Sequence, residues 1–131
     1  MDMKLTDILS LVGRLDDAEG TDTPRERFRR FLRDTEANIG QVRDYVEDCL
    51  RLTGQQYDRA LQDLVNHIGI LLGFEVTYGR YQGVRGQIGF DGCWKSPQGT
   101  YIVIEVKTSE AYAIKTNTLL NYIVDLVSGK V

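Results

Sequence analysis

Two acidic residues and a lysine near the end of the sequence have types that can bind a metal ion and stabilise negative charge. Glu105 and Lys107 are separated by one residue, within a segment of β-branched and aromatic residues that predicts a strand. Because side chains alternate faces along a strand, Glu105 and Lys107 share one face, and Ile104 and Val106 point to the other. Charges beside so apolar a strand are costly to bury unless they are paired or bind a metal ion.

Asp91 is the third member of this set and lies on the preceding predicted strand. A turn over Ser96-Pro97-Gln98-Gly99 joins the two strands, so that Asp91 can lie beside Glu105, although the residues alone leave the register open. Two adjacent carboxylates repel each other, and a hard divalent cation relieves that repulsion. Mg²⁺ there would polarise a phosphoryl oxygen, and the lysine would stabilise charge on the phosphate. The pattern therefore predicts metal-assisted phosphodiester hydrolysis.

The elements that would position these residues are a run of helices followed by three strands. Helices are predicted from Thr6 towards Leu15, from Pro24 to about residues 38–40, over 42–52, over Gln55 to Leu72, and over 118–129. Strands are predicted over residues 74–78, 87–95 and 100–108. This order predicts a mixed α+β (α/β) fold. We divide the chain into an N-terminal helical segment at 1–54, for docking, regulation or dimerisation, and a core at 55–131.

The core resembles the PD-(D/E)xK nuclease superfamily, which has the restriction endonuclease-like fold. The resemblance covers residues 55–131 and depends on Leu72-Gly73-Phe74 before the first strand, on Asp91-Gly92, and on Ile104-Glu105-Val106-Lys107. It implies an α-β-β-β-α-β core. It also implies that Asp91, Glu105 and the backbone carbonyl of Val106 bind Mg²⁺, for which Mn²⁺ can substitute, and that Lys107 assists catalysis.

The chain departs from the family pattern in three places. Phe90 stands where a proline usually precedes the first acid. Gln62 stands where many members have a glutamate on the first core helix, and we expect it to orient a water or a metal ligand. The last strand of the core would follow residue 129, and the sequence ends at Val131. We therefore expect the chain to be part of a longer protein.

The distribution of charge is compatible with local contacts to nucleic acid. The net charge of −3 argues against a wholly basic surface, but a local basic patch is sufficient for phosphate contacts. We select Arg29 and Arg30 from the arginine-rich run at 25–33, and Arg80 and Arg85 from the glycine-rich segment after the first strand, as candidate DNA contacts. The plain alternatives are a solvated helix face for the first pair and a mobile loop for the second.

Other residue types exclude some classes of site. The single histidine, together with the distant Cys49 and Cys93, argues against a Cys/His zinc site and fits a reducing compartment. We expect His67 on the solvent side of its helix. No signal-peptide pattern and no apolar run of membrane-spanning length is present in the sequence, so we expect a cytoplasmic protein that does not associate with membranes.

The expected function is that of a Mg²⁺-dependent endonuclease acting on DNA, in restriction, repair or defence by analogy with the family. DNA and a second copy of the chain are the expected partners. One alternative is a catalytically inactive member that binds nucleic acid or serves in assembly. Another is an interaction domain whose helices bind a partner protein, which predicts no dependence on divalent metal.

Overall fold

The computed structural model describes residues 3–83, 85 and 89–107 as helices followed by an antiparallel sheet. The elements are α1 (Leu5–Val12), α2 (Pro24–Asp34), α3 (Ile39–Arg51), α4 (Gln55–Leu71), β1 (Glu75–Tyr78), β2 (Gly92–Lys95) and β3 (Tyr101–Ile104). This order confirms the mixed α+β class. The helix predicted over 118–129 lies outside the described residues. Within these ranges, no helix has the length and apolar character needed to cross a membrane.

The start of α2 is as predicted, and its end is not. The Thr23 side chain accepts the Glu26 N–H at 3.2 Å and Pro24 occupies the first turn. The helix ends at Asp34, earlier than expected, because Asn38 begins the next helix. The Asn38 side chain accepts the Gln41 N–H at 2.9 Å, and the Gln41 side chain accepts the Asn38 N–H at 3.1 Å. This capping box separates α3 from α2.

The three strands form a meander in the order β1-β2-β3. Cys93 at the centre of β2 pairs with Thr77 on one side and Val103 on the other. The predicted turn after β2 is confirmed: the Ser96 N–H donates to the Thr100 carbonyl at 2.8 Å, and Gly99 has a φ of 88° that favours glycine. The strands are shorter than predicted, however. The three candidate catalytic residues therefore lie just outside β2 and β3.

One hydrophobic core joins all four helices. Its fully buried side chains come from every helix and include Leu5, Ile8, Phe28, Leu32, Val42 and Leu64. The boundary that we placed at residue 54 therefore separates two segments that share a core. The N-terminal helices are part of the framework on which the sheet rests.

Helix α4 lies at the centre of this framework, with α2 and α3 on one side and β1 and β2 on the other. Its apolar stripe packs in the core, as its periodicity predicts. Five of its polar residues are buried as well, namely Arg59, Gln62, Asp63, Asn66 and His67. Close packing against the sheet requires Gly69, because a Cβ at this position would lie 2.6 Å from the Trp94 ring.

His67 belongs to this buried set, and its predicted solvent exposure is wrong. Only 3% of the residue is exposed, because the connection between α2 and α3 covers it, and Nε2 lies 3.4 Å from the Ala37 carbonyl oxygen. Burial lowers the pKa of His67 below its ordinary value, and the hydrogen bond to Ala37 acts in the opposite direction. The neutral form is therefore the one that the fold favours.

We expect His67 to make the protein less stable in mild acid. The unfolded chain binds the histidine proton at a higher pH than the folded chain does, so the free energy of unfolding falls as pH decreases from about 7 to about 5, with a slope of at most about 1.4 kcal/mol per pH unit from this group. His67→Gln retains a donor for Ala37 but does not titrate, and should flatten this slope. Urea denaturation across the range measures both proteins, and equal slopes would contradict the assignment.

Candidate functional site

The backbone of Asp91 is held from three directions at the start of β2. Its carbonyl oxygen accepts the Gly79 N–H at 3.0 Å, the Asn66 side-chain amide at 2.9 Å and the Gln62 side-chain amide at 3.3 Å. Its own N–H donates to the Ile104 carbonyl at 3.0 Å. Helix α4 and both neighbouring strands therefore fix the position of this residue.

The pairing register between β2 and β3 changes at Asp91. This change determines how Asp91 contacts the segment that carries Glu105 and Lys107. Ile104 pairs with Gly92 and also accepts the Asp91 N–H. Two consecutive residues of one strand, Asp91 and Gly92, therefore face the single residue Ile104 of the other, which is the arrangement of a β-bulge. The Asp91 carboxylate accepts the Val106 N–H through Oδ2 at 2.6 Å. The hairpin thus brings Asp91 to the segment that carries Glu105, by a side-chain contact to the backbone.

Glu105 and Lys107 keep the alternation of a strand although they follow the end of β3. Both are exposed, whereas Val106 between them is half-buried and packs against the core. The Lys107 ammonium lies 3.9 Å from Glu105 Oε2. Glu105 and Asp91 line the same cavity, which has a volume of about 380 Å³. The structure therefore places the two acids at one cavity and Lys107 beside Glu105.

A second wall of this cavity is the segment from Tyr78, the last residue of β1, to Gly83. It carries Arg80, whose side chain is 51% exposed. A guanidinium at this wall is suited to bind a phosphate of a substrate that enters between the walls. Arg80 is thus an exposed guanidinium at the edge of this cavity.

Gln62 joins the two walls through their backbones. Its side-chain amide donates to the carbonyl of Arg80 at 3.2 Å and to that of Asp91 at 3.3 Å. The residue is buried, with 7% exposed. Its position near Asp91 was expected, but its contacts are to backbone carbonyls, where we had expected a water or a metal ligand.

A buried charged network lies behind the cavity. Asp63 is completely buried; its carboxylate accepts from Arg29 Nη2 at 3.1 Å and from the Tyr81 hydroxyl at 2.5 Å. The Arg29 guanidinium lies 3.9 Å from the centre of the Tyr78 ring. Burial raises the pKa of Asp63, against the effect of Arg29 and Tyr81, and it raises the pKa of Tyr78 to about 12 and that of Tyr81 further. Both tyrosines are therefore neutral at physiological pH.

This network contradicts the DNA contact expected of Arg29. The residue is 5% exposed, because its guanidinium is paired with a carboxylate that is itself buried. The neighbouring Arg30 is exposed, although it donates to the Thr21 carbonyl at 2.6 Å, and Arg85 is exposed as well. Arg30, Arg80 and Arg85 thus retain the exposure that binding to DNA requires.

Sequence reasoning missed the roles of Asp17, Asp63, Asn66 and Tyr81. Gln62 and Asn66 are four residues apart on α4, so they share a helix face, and this spacing was the available signal. A polar helix face is usually solvated, and the sequence does not show that the sheet covers this one.

The carboxylate oxygens of Asp91 and Glu105 are ligands of the kind that a hard divalent cation prefers. Among residues 3–83, 85 and 89–107, no three His, Cys, Asp or Glu side chains group as a metal site would require. The two carboxylates of Asp91 and Glu105 nevertheless line one cavity. Mg²⁺ is often held by one or two carboxylates, while water and substrate phosphates complete its coordination. The arrangement is therefore compatible with Mg²⁺ and differs from the closed ligand set of a structural zinc site.

Comparison of the chain with family models, with curated proteins and with solved structures gave no match. The case for a function consequently depends on the residues and geometry of this cavity.

Arg29 and Arg30 offer a matched pair that tests the buried network. Arg29→Ala leaves the Asp63 carboxylate buried without its cation, and we expect it to lower the free energy of unfolding by about 3–5 kcal/mol. Arg30→Ala removes an exposed side chain and should change this free energy by less than about 1 kcal/mol. Chemical denaturation of both variants measures these free energies of unfolding. Similar decreases for the two variants would contradict a buried ion pair between Arg29 and Asp63.

Proposed function

We propose that this chain contains a Mg²⁺-dependent nuclease core that hydrolyses DNA phosphodiester bonds, with the restriction endonuclease-like arrangement of the PD-(D/E)xK superfamily. The observation that carries the proposal is the meeting of Asp91 and Glu105 at one cavity, with Lys107 at 3.9 Å from Glu105. The order of a helix followed by three antiparallel strands supports it.

Each residue has a defined part in this proposal. Asp91 and Glu105 supply carboxylate oxygens to the cation, and the Val106 carbonyl supplies a further oxygen. The bound cation would polarise the phosphate and lower the pKa of a coordinated water. Lys107 places a positive charge beside the phosphate on which negative charge develops, where a preorganised charge has its largest effect. Arg80, on the second wall, binds a phosphate of the substrate.

The acidic pair favours an active enzyme over an inactive module of the same fold. Two carboxylates that line one small cavity repel each other unless a cation or a proton separates them. A module that only bound nucleic acid would gain nothing from this repulsion, because its ligand is itself an anion. An interaction domain that uses its helices would have no need of the cavity.

Cleavage of supercoiled plasmid with Mg²⁺ or Mn²⁺ tests the proposal. We expect Asp91→Asn, Glu105→Gln and Lys107→Met each to reduce the rate by about 100-fold or more. Glu75→Gln and Lys95→Met are matched controls on exposed strand positions, and they should retain the wild-type rate. Isothermal titration with Mn²⁺ separates the roles: the two acid variants lose affinity for the cation, and Lys107→Met retains it.

Two results would refute the enzyme. One is the absence of metal-dependent cutting of any DNA or RNA by the wild type. The other is equal cutting by wild type and the three site variants. DNA binding that persists without cutting and does not depend on the cation would identify the inactive module instead.

A further inference from the structure

Asp17 lies in the connection between α1 and α2, far from the candidate catalytic residues in sequence, and it contacts the second wall of the cavity. Its carboxylate accepts two consecutive backbone N–H groups, that of Tyr81 at 2.8 Å through Oδ1 and that of Gln82 at 3.0 Å through Oδ2. Consecutive N–H groups that converge on one carboxylate form a strong anion-binding arrangement. Both oxygens of Asp17 are therefore engaged by the wall that carries Arg80.

Two arginines complete the surroundings of Asp17. Arg25 of α2 lies 3.5 Å from Oδ1, and Arg80 lies 4.0 Å from Oδ2. The Asp17 side chain is 10% exposed, so that water screens these interactions only weakly. A carboxylate with two N–H donors and two nearby guanidinium groups is a stable fixture of the fold.

The same wall is anchored at two further points. The Tyr81 hydroxyl donates to the buried Asp63, and Gln62 holds the Arg80 carbonyl. These two anchors come from α4, which also holds Asp91, whereas Asp17 comes from the N-terminal segment. Asp17 is thus the contact through which the N-terminal connection reaches the cavity wall.

We propose that Asp17 is a positioning residue for the candidate active site, which fixes the backbone at Tyr81 and Gln82 and so holds the segment that carries Arg80 at the cavity lined by Asp91 and Glu105. This inference rests on the proposed nuclease function. It assigns to the N-terminal segment a direct part in the geometry of the site. Small displacements of a group that orients the substrate reduce the rate far more than they reduce the binding of a cation elsewhere.

The test compares Asp17→Ala and Asp17→Asn with Asp16→Ala, a neighbouring acid whose carboxylate accepts the Ala18 N–H at 3.0 Å. Hydrogen exchange of a peptide covering residues 79–83 should become about tenfold faster or more in Asp17→Ala. The kcat for plasmid cleavage should fall by about 10- to 100-fold, while KM changes less and the Mn²⁺ affinity stays within about twofold of the wild type. Asp17→Asn retains one acceptor oxygen and should lie between wild type and Asp17→Ala, and Asp16→Ala should match the wild type.

The outcomes separate this inference from the function on which it rests. An inactive wild type refutes the nuclease, and the positioning role with it. An active wild type with normal cleavage by Asp17→Ala, or with unchanged exchange at 79–83, refutes the positioning role alone. Faster cleavage by Asp17→Ala also refutes it, because Asp17 would then compete with a substrate phosphate for the same donors. Loss of Mn²⁺ affinity in Asp17→Ala would likewise overturn it, since the effect would then extend to the whole site.

Discussion

The complete burial of the Asp63 carboxylate constrains much of the structure. A buried charge is tolerated only when it is paired and hydrogen-bonded, and here Arg29 of α2 and Tyr81 of the cavity wall supply those partners. Because Asp63 belongs to the central helix, this one group connects the N-terminal helices to the segment after β1. Loss of either partner would affect both the core and the cavity wall.

The central helix α4 has one buried apolar face and one buried polar face. The two faces contribute differently to the position of the site. The apolar face contributes to the common helical core, which supplies nonspecific stability. The polar face contributes directed hydrogen bonds, since Gln62 and Asn66 both donate to the carbonyl of Asp91. Directed bonds of this kind fix a backbone position more sharply than hydrophobic contacts do. Asp91, which directly precedes β2, is therefore placed by α4 as much as by the sheet.

The class of fold and the alternation of Glu105 and Lys107 could be predicted because they depend on local patterns. Helical periodicity identified α4, the Ser-Pro-Gln-Gly turn identified the hairpin, and strand alternation placed Glu105 and Lys107 on one face. The burial of Arg29 and His67 could not be predicted in this way. Both have the residue type and the spacing of a solvated helix face, and only the packing of distant segments against them removes that exposure. The bulge at Asp91 is likewise a property of how two strands meet, which no single segment encodes.

The position of Trp94 gives the candidate site a built-in optical reporter. It is the single tryptophan of the chain, its ring centre lies 5.6 Å from that of Phe74, and its indole N–H donates at 2.9 Å to the same Asn66 side chain that holds Asp91. A buried indole with one directed partner emits in a way that depends on that partner and on local polarity. A ligand that moved Asp91 would also disturb Asn66 and so alter the emission of Trp94. Binding of such a ligand could then be followed in the unlabelled protein, without a chemical tag near the acids.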